Sequence, residues 1–409
     1  MTKSIPIPVF DNLNHIEKAD GAAFVVDEKY RADFKHALTF LKAYNGSLGT
    51  FISYRRDVER LLHWCTLIAH KTLDELKRQD IEDFIHFCQK PPKTWIGVHK
   101  VQRFIDENGV RVPNPKWRPF VVTISKSAHK LGERPNPKNF DISQSAIKDM
   151  FAILGSFYNY LLQEDHVQVN PVMLIRQKSK FIRKTQEAKK IRRLSERQWN
   201  TVIRTAEEMA TTNPAKHERT LFIMSILYLM YLRISELAES KRWSPAMNHF
   251  FKDHDENWWF TTVGKGNKQR QIAVSDSMLK ALQRWRVHLG LSSLPSLADQ
   301  SPLLPRTRGQ GSIKGTSYIR SIVQHCFDQA IDKLKRDHYE EEADSLGEAT
   351  VHWLRHTGIS DDVKYRPREH VRDDAGHGSG AITDRYIDVN LKDRHRTAKD
   401  KPLQEDDFN

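Results

Sequence analysis

Apolar residues recur at intervals of three and four through long stretches of this chain, the period of a helix with one buried face. In 51–70 the repeating positions are Tyr54, Val58, Leu61, Leu62 and Cys65. In 73–87 they are Leu76, Ile81, Phe84 and Ile85, and in 143–164 they are Ile147, Met150, Phe151, Leu154, Phe157, Tyr158 and Leu161. With a further helix over 28–44, these predict a helical region spanning 28–175. Residues 1–27 carry no sustained period and predict an irregular lead. The segment 91–140 interrupts the pattern. It is rich in Pro, Lys and Gly and is broken at Pro91-Pro92 and Pro135-Asn136-Pro137, so it reads as an insertion or long loop with room for short strands.

A second region opens at Ser195-Glu196-Arg197-Gln198. This is a capping-box pattern, in which Ser195 accepts from the amide three residues on and Gln198 reaches back. Helices are predicted over 196–210, 218–239, 276–290, 316–335 and 350–360. The β-prone runs 258–263 and 270–274 flank Gly264-Lys265-Gly266-Asn267-Lys268, a hairpin turn by composition. The expected fold is mainly α with a small β-sheet in the second domain, 195–395, an α+β arrangement. The polar stretch 391–409 ends the chain, and 396–409 reads as an acidic tail, with Glu405-Asp406-Asp407 near its end.

Length agrees with two domains, since 409 residues exceed what one core holds. The longest apolar run, 221–232, contains Ser225 and is too short to span a bilayer, so it predicts a buried helix. The first residues lack a basic-then-apolar signal pattern. Cys65, Cys88 and Cys326 are widely spaced and form no CxxC, which supports neither a zinc ribbon nor a disulfide framework and suits a reducing compartment.

Charge changes the picture more. Lys and Arg number 65 against 52 Asp and Glu, a net +13, and such an excess attracts polyanions, nucleic acid above all. The excess concentrates between the two regions, in a basic linker over 176–194. There Arg176, Lys178, Lys180, Arg183, Lys184, Lys189, Lys190, Arg192 and Arg193 stand against Glu187 alone. The segment reads either as a solvated tether or as a strap along a phosphate backbone, and two flanking helical domains favour the strap.

Several residues point to chemistry. Arg233 follows the apolar run 221–232, where a charge is costly unless it is paired or faces a site; Glu236 is its candidate partner. His352, Arg355 and His356 share a face if 350–360 is helical. A His pair at this spacing also suits zinc, but Trp353 stands where a metalloprotease needs Glu, and the intervening Arg repels a cation. This face suits an anion. Lys265 sits in a Gly-Lys-Gly turn that is not a nucleotide-binding loop. Gly376-His377 precedes Tyr386 by nine residues. A phenol is a poor nucleophile unless its proton is removed as it attacks.

Taken in order, Leu232-Arg233-Ile234-Ser235-Glu236-Leu237, Gly264 to Arg270, His352-x-x-Arg355-His356-Thr357, Gly376-His377 and Tyr386 resemble the tyrosine recombinases, or phage integrase family. The resemblance covers about 195–395 specifically and 28–175, as a core-binding domain, in pattern only. It implies that Tyr386 attacks a scissile phosphate to give a 3′-phosphotyrosine. Arg233 and Arg355 would clamp the non-bridging oxygens with His377, His352 would assist proton movement, and Lys265 would protonate the leaving 5′-oxygen. It implies double-stranded DNA as partner, a homo-tetramer on two paired sites, no metal or cofactor, room for an accessory DNA-binding protein, and a cytoplasmic, nucleoid-associated bacterial setting. Among such enzymes the 91–140 insertion favours one serving a mobile element. A type IB topoisomerase-like relaxing enzyme and a non-catalytic DNA-binding protein on the same fold are the alternatives. The chain departs from the family pattern at Tyr231, where Gly is common, at Asp373-Asp374-Ala375, where leucines prevail, and at Gly378, where Ser is frequent.

Overall fold

The computed structural model describes residues 5–18, 27–44, 47–130, 132–178, 181, 192–378 and 382–383, the side chains of Ser127, Lys130, Arg176, Gln177, Lys178 and Lys265 excepted. The chain divides into two units, Met1–Ala188 and Lys189–Asn409. The first is built from helices α1 (Leu13–Ile16), α2 (Arg31–Lys42), α3 (Leu48–Trp64), α4 (Arg78–Gln89), α5 (Lys126–Lys130), α6 (Gln144–Gln163) and α7 (Pro171–Lys178). The predicted apolar faces of α3, α4 and α6 meet in one core with Phe34, Leu38 and Leu41 of α2. Helix α4 starts later than expected. Leu73 and Leu76 are buried, but the Asp80 carboxylate accepts from the Lys77 amide at 2.8 Å and sets the first turn there.

A further expectation for this unit is corrected. The lead is not wholly irregular: α1 is capped by Asn12, and Phe10 and Ile16 are buried in the core. Glu59 holds this lead by accepting from the amides of Val9 and Phe10 at 2.6 and 3.2 Å. The 91–140 segment holds the short strands for which its composition left room. Strand β1 (Ile96–Gly97) pairs in parallel with β4 (Phe120–Val121). Strands β2 (Phe104–Glu107) and β3 (Val110–Pro113) form an antiparallel hairpin. Its turn places Asn108 and Gly109 at φ +52° and +81°, as a two-residue hairpin turn requires. Trp95, Phe120 and Val122 carry this segment into the core.

The second unit contains α8 (Glu196–Thr212), α9 (Pro214–Leu229), α10 (Asp276–His288), α11 (Ser317–Arg336), α12 (Glu340–Gly347), α13 (Val351–Asp362) and α14 (Arg368–Ala375). The capping box is formed at the start of α8: Ser195 Oγ accepts from the Gln198 amide at 3.1 Å, and Gln198 Oε1 accepts from the Ser195 amide at 2.9 Å. Strands β5 (Phe250–Lys252), β6 (Trp258–Val263) and β7 (Gln269–Ala273) make one antiparallel sheet in the order β5-β6-β7. Phe260 lies opposite Phe250 on one side and Ile272 on the other, and all three are buried. The fold class is therefore the predicted one, helical with a small sheet beside the helices of the second unit.

Here too one helix ends early. The prediction carried 218–239 as a single helix, but α9 stops at Leu229. Tyr231 takes φ +48° and Arg233 an extended conformation, followed by a short 3-10 turn, Ile234–Glu236. The apolar pattern continues past 229 because Met230, Tyr231, Leu232 and Leu237 are all buried, though not as a helix. Helices α12 and α14 and strand β5 were not predicted. The three cysteines are buried free thiols. Among the described residues no helix is long and apolar enough to cross a membrane.

Candidate active site

The early end of α9 turns Arg233 out of the helical path and into a cluster of three arginines. Arg233 Nη1 donates to Glu236 Oε1 at 3.0 Å, and its own amide donates to Glu236 Oε2 at 2.9 Å. Glu236 is buried and takes a two-pronged fork from Arg270 at 2.9 and 2.8 Å. Burial alone would raise the Glu236 carboxyl, but the hydrogen bonds and charge of Arg270, then Arg233, outweigh it and hold the group below its ordinary value. Glu236 thus supports two guanidiniums, of which the sequence foresaw one. Arg270 stood inside the hairpin motif, but nothing in local spacing links it to an acid 34 positions earlier.

Helix α14 supplies the second half of the site. The last carbonyls of a helix lack partners within it, and its C-terminus favours cations. Here three successive carbonyls each accept from a different arginine. The Asp374 carbonyl takes Arg270 Nε at 2.9 Å, Ala375 takes Arg355 Nη2 at 2.5 Å, and Gly376 takes Arg233 Nη2 at 3.4 Å. Gly376 closes the helix at φ +62°. A Cβ there would lie 2.8 Å from Arg270 Cδ. Gly264 meets the same cluster from β6, where a Cβ would lie 2.9 Å from Arg270 Nη1 and 3.1 Å from Glu236 Oε1. Both glycines let main chain approach the guanidiniums.

Helix α13 presents His352, Arg355 and His356 as the spacing predicted. Arg355 is buried and also donates to the Tyr231 carbonyl. The His352 and His356 rings lie edge to face, 4.3 Å between centres. His356 Nδ1 donates to the Arg192 carbonyl at 3.1 Å, and burial, the largest cause, holds its pKa below the usual value. His377, just beyond α14, contacts Thr383 Oγ1 through Nδ1 at 2.9 Å. Burial, then the charges of Arg355 and Arg233, bring His377 down to about 4. Burial, then His356, Arg355 and Arg233, do the same to His352. Near neutral pH both rings are uncharged, so each can donate one proton and accept another.

Four of the six side chains expected to carry chemistry, Arg233, His352, Arg355 and His377, are thus brought within each other's electrostatic reach. The main chain of Lys265 lies in the turn between β6 and β7, next to Gly264. Tyr386 lies outside the described residues, as do Lys180, Arg183, Lys184, Lys189 and Lys190 of the linker. Arg176 and Lys178 belong to the end of α7, Arg192 is exposed and Arg193 half-buried. Among the described residues no three His, Cys, Asp or Glu side chains gather as metal ligands would.

Two guanidiniums flanked by neutral imidazoles make a cradle for a tetrahedral oxyanion. Residues 192–393 match the Phage integrase family, and the chain belongs to this family, the tyrosine recombinases. It is 25% identical over 280 residues to a tyrosine recombinase XerC of Alcanivorax borkumensis, covering 66% of this chain and 78% of that one. In fold it resembles the XerH site-specific recombinase bound to a palindromic difH substrate in a post-cleavage complex, with a TM-score of 0.55 and 13% identity, over 95% of this chain and 92% of that one. The pre-cleavage complex of XerH with difH gives a TM-score of 0.51 over 94% of each chain.

Proposed function

We propose that this protein is a site-specific DNA recombinase that cleaves and rejoins strands through a 3′-phosphotyrosine at Tyr386, as a homo-tetramer on two paired duplex sites. The observation that carries this reading is the seating of Arg233, Arg270 and Arg355 on three successive carbonyls at one helix end, with His377 beside them. In the reaction the Tyr386 oxygen forms a bond to phosphorus as the bond to the 5′-oxygen breaks. Arg233 and Arg355 hold the non-bridging oxygens, whose charge grows in the transition state, and a fixed donor set favours that state over the ground state. His377 donates to the same oxygens. His352 accepts the phenolic proton, and Lys265 gives a proton to the departing 5′-oxygen. Bond energy is kept in the phosphotyrosine, so a 5′-hydroxyl from another strand reverses the step and exchanges strands.

DNA enters this reading from the relatives, since the XerH structures hold a difH substrate before and after cleavage. The basic linker lies along phosphates in this scheme, and the 91–140 elaboration of the first unit fits an enzyme serving integration, excision or resolution of a mobile element. The test is covalent trapping. Wild type and Tyr386→Phe are incubated with nicked duplex from the DNA flanking the gene and run on a denaturing gel. A shifted protein–DNA band in the wild type alone is expected. A band that persists in Tyr386→Phe would place the nucleophile elsewhere, and tight, specific binding without any adduct would favour a non-catalytic DNA-binding protein.

A further inference from the structure

The corner between α13 and α14 has little apolar packing to fix its register. Its own small cluster is Tyr231, Ile359, Val371 and Ala375, with Val363 beside it. A lattice of polar ties is built onto that cluster. The Tyr231 hydroxyl donates to Asp362 Oδ2 and accepts from Arg366 Nη1 at 3.0 Å. Arg366 Nη1 also reaches Asp362 Oδ2 at 3.3 Å, and Arg366 Nη2 donates to Asp374 Oδ2 at 2.6 Å. Asp374 Oδ1 in turn accepts from the Ala273 amide of β7 at 3.3 Å. Tyr231 and Asp374 are buried. Tyr231 moreover holds φ +48°, a conformation that persists in a bulky residue only when its surroundings enforce it.

The two ends of this lattice are the two seats of Arg355. Tyr231 provides the carbonyl that takes Nη1, and Ala375, the neighbour of Asp374, provides the carbonyl that takes Nη2. Arg366 bridges them with its two arms: one grips the Tyr231 phenol, the other the Asp374 carboxylate. We infer that Arg366 is a positioning residue for Arg355, working through Tyr231, Asp362 and Asp374 to hold both carbonyls in register. Its kinetic consequence rests on the recombinase reading; its structural consequence does not. A guanidinium suits the task because it is planar and forked, so it fixes the directions of two partners more rigidly than a rotating ammonium does.

The experiment uses the full chain carrying Arg366→Ala, Arg366→Lys or, as control, Lys364→Ala. Lys364 is exposed at the same corner and pairs with Asp361 at 2.9 Å, outside the lattice. The first readout is the single-turnover rate of adduct formation on a nicked duplex at saturating protein, corrected for the folded fraction, together with the Kd for that duplex. Arg366→Ala should lower the rate about 10–100-fold, the usual effect of losing a supporting partner, with Kd little changed. Arg366→Lys should recover part of the rate through Asp374, and Lys364→Ala should match wild type. A wild-type rate per folded Arg366→Ala molecule would overturn the inference and leave Arg366 a purely structural tie. The second readout needs no activity: the guanidinium N–H resonances of Arg355 in DNA-free protein. Slow rotation and exchange should be seen in wild type and lost in Arg366→Ala. If wild type forms no adduct but these signals behave as expected, the recombinase reading fails and the positioning role stands. Unchanged Arg355 signals would refute the positioning role whatever the activity.

Discussion

Both units set arginines against buried acids, and they do so in different ways. In the first, Asp57 is fully buried and accepts from Arg56 at 2.8 and 2.7 Å and from Arg60 at 3.1 Å. Glu59, also buried, is tied to Arg103. The same arginines then stitch main chain, Arg60 to the Pro119 carbonyl and Arg103 to the Phe10 carbonyl. In the second unit Glu236 alone serves two guanidiniums, and further donors of Arg233, Arg270 and Arg355 go to carbonyls at the end of α14. A carboxylate orients a guanidinium and cancels its charge. A carbonyl orients it and leaves the charge in place. Two buried carboxylates serve Arg56, Arg60 and Arg103 in the first unit, whereas Glu236 is shared by Arg233 and Arg270 beside Arg355 in the second, so carboxylates offset a larger share of the arginine charge in the first.

The comparison can be broken by mutation. Arg103→Ala leaves Glu59 buried without its cation, which costs about 3–5 kcal/mol when one partner of a buried pair is removed. Urea unfolding should show that loss. A cost below about 1 kcal/mol, the level of a surface pair, would mean that Arg103 stitches nothing. Gly376→Ala comes next. It places a Cβ at φ +62° and 2.8 Å from Arg270 Cδ, so it should lower stability by about 1–3 kcal/mol and disturb the cradle. An unchanged unfolding midpoint would contradict the close packing of that turn.

A third effect concerns pH. His377 and His352 sit at about 4, against about 6.5 in an unfolded chain. Between those values the unfolded chain binds more protons, so stability falls as pH falls from about 6.5 toward 4. Asp374, raised by burial, acts with the opposite sign but is common to wild type and a histidine variant. The fall should therefore be shallower in His377→Asn. Identical slopes would show that His377 titrates normally.

What was legible in the sequence follows physical lines. Helices with a long apolar stripe, such as α3 and α6, and the Ser195–Gln198 cap were readable because their causes are local. The break after Leu229 was not, since the apolar pattern runs on and only the backbone at Tyr231 departs from helix. Pairing between β1 and β4 joins two-residue strands 24 positions apart, too short to leave a period. At the site, Arg233, His352, Arg355 and His377 were found by type and order. Arg270 and the carbonyls of 374–376 were missed because a main-chain acceptor has no sequence signature, and the charged run 361–374 gave no sign that Arg366 ties Tyr231 to Asp374.

The most direct test of the cradle is the single-turnover rate of covalent adduct formation by Arg355→Ala, measured beside Arg103→Ala at saturating protein and corrected for the folded fraction. Arg355→Ala is expected to lose about 10²–10³-fold in rate, as when one transition-state donor is removed, while Arg103→Ala keeps the wild-type rate per folded molecule. An Arg355→Ala rate within about tenfold of wild type, or an equal loss in both variants, would contradict the division between stitch and cradle.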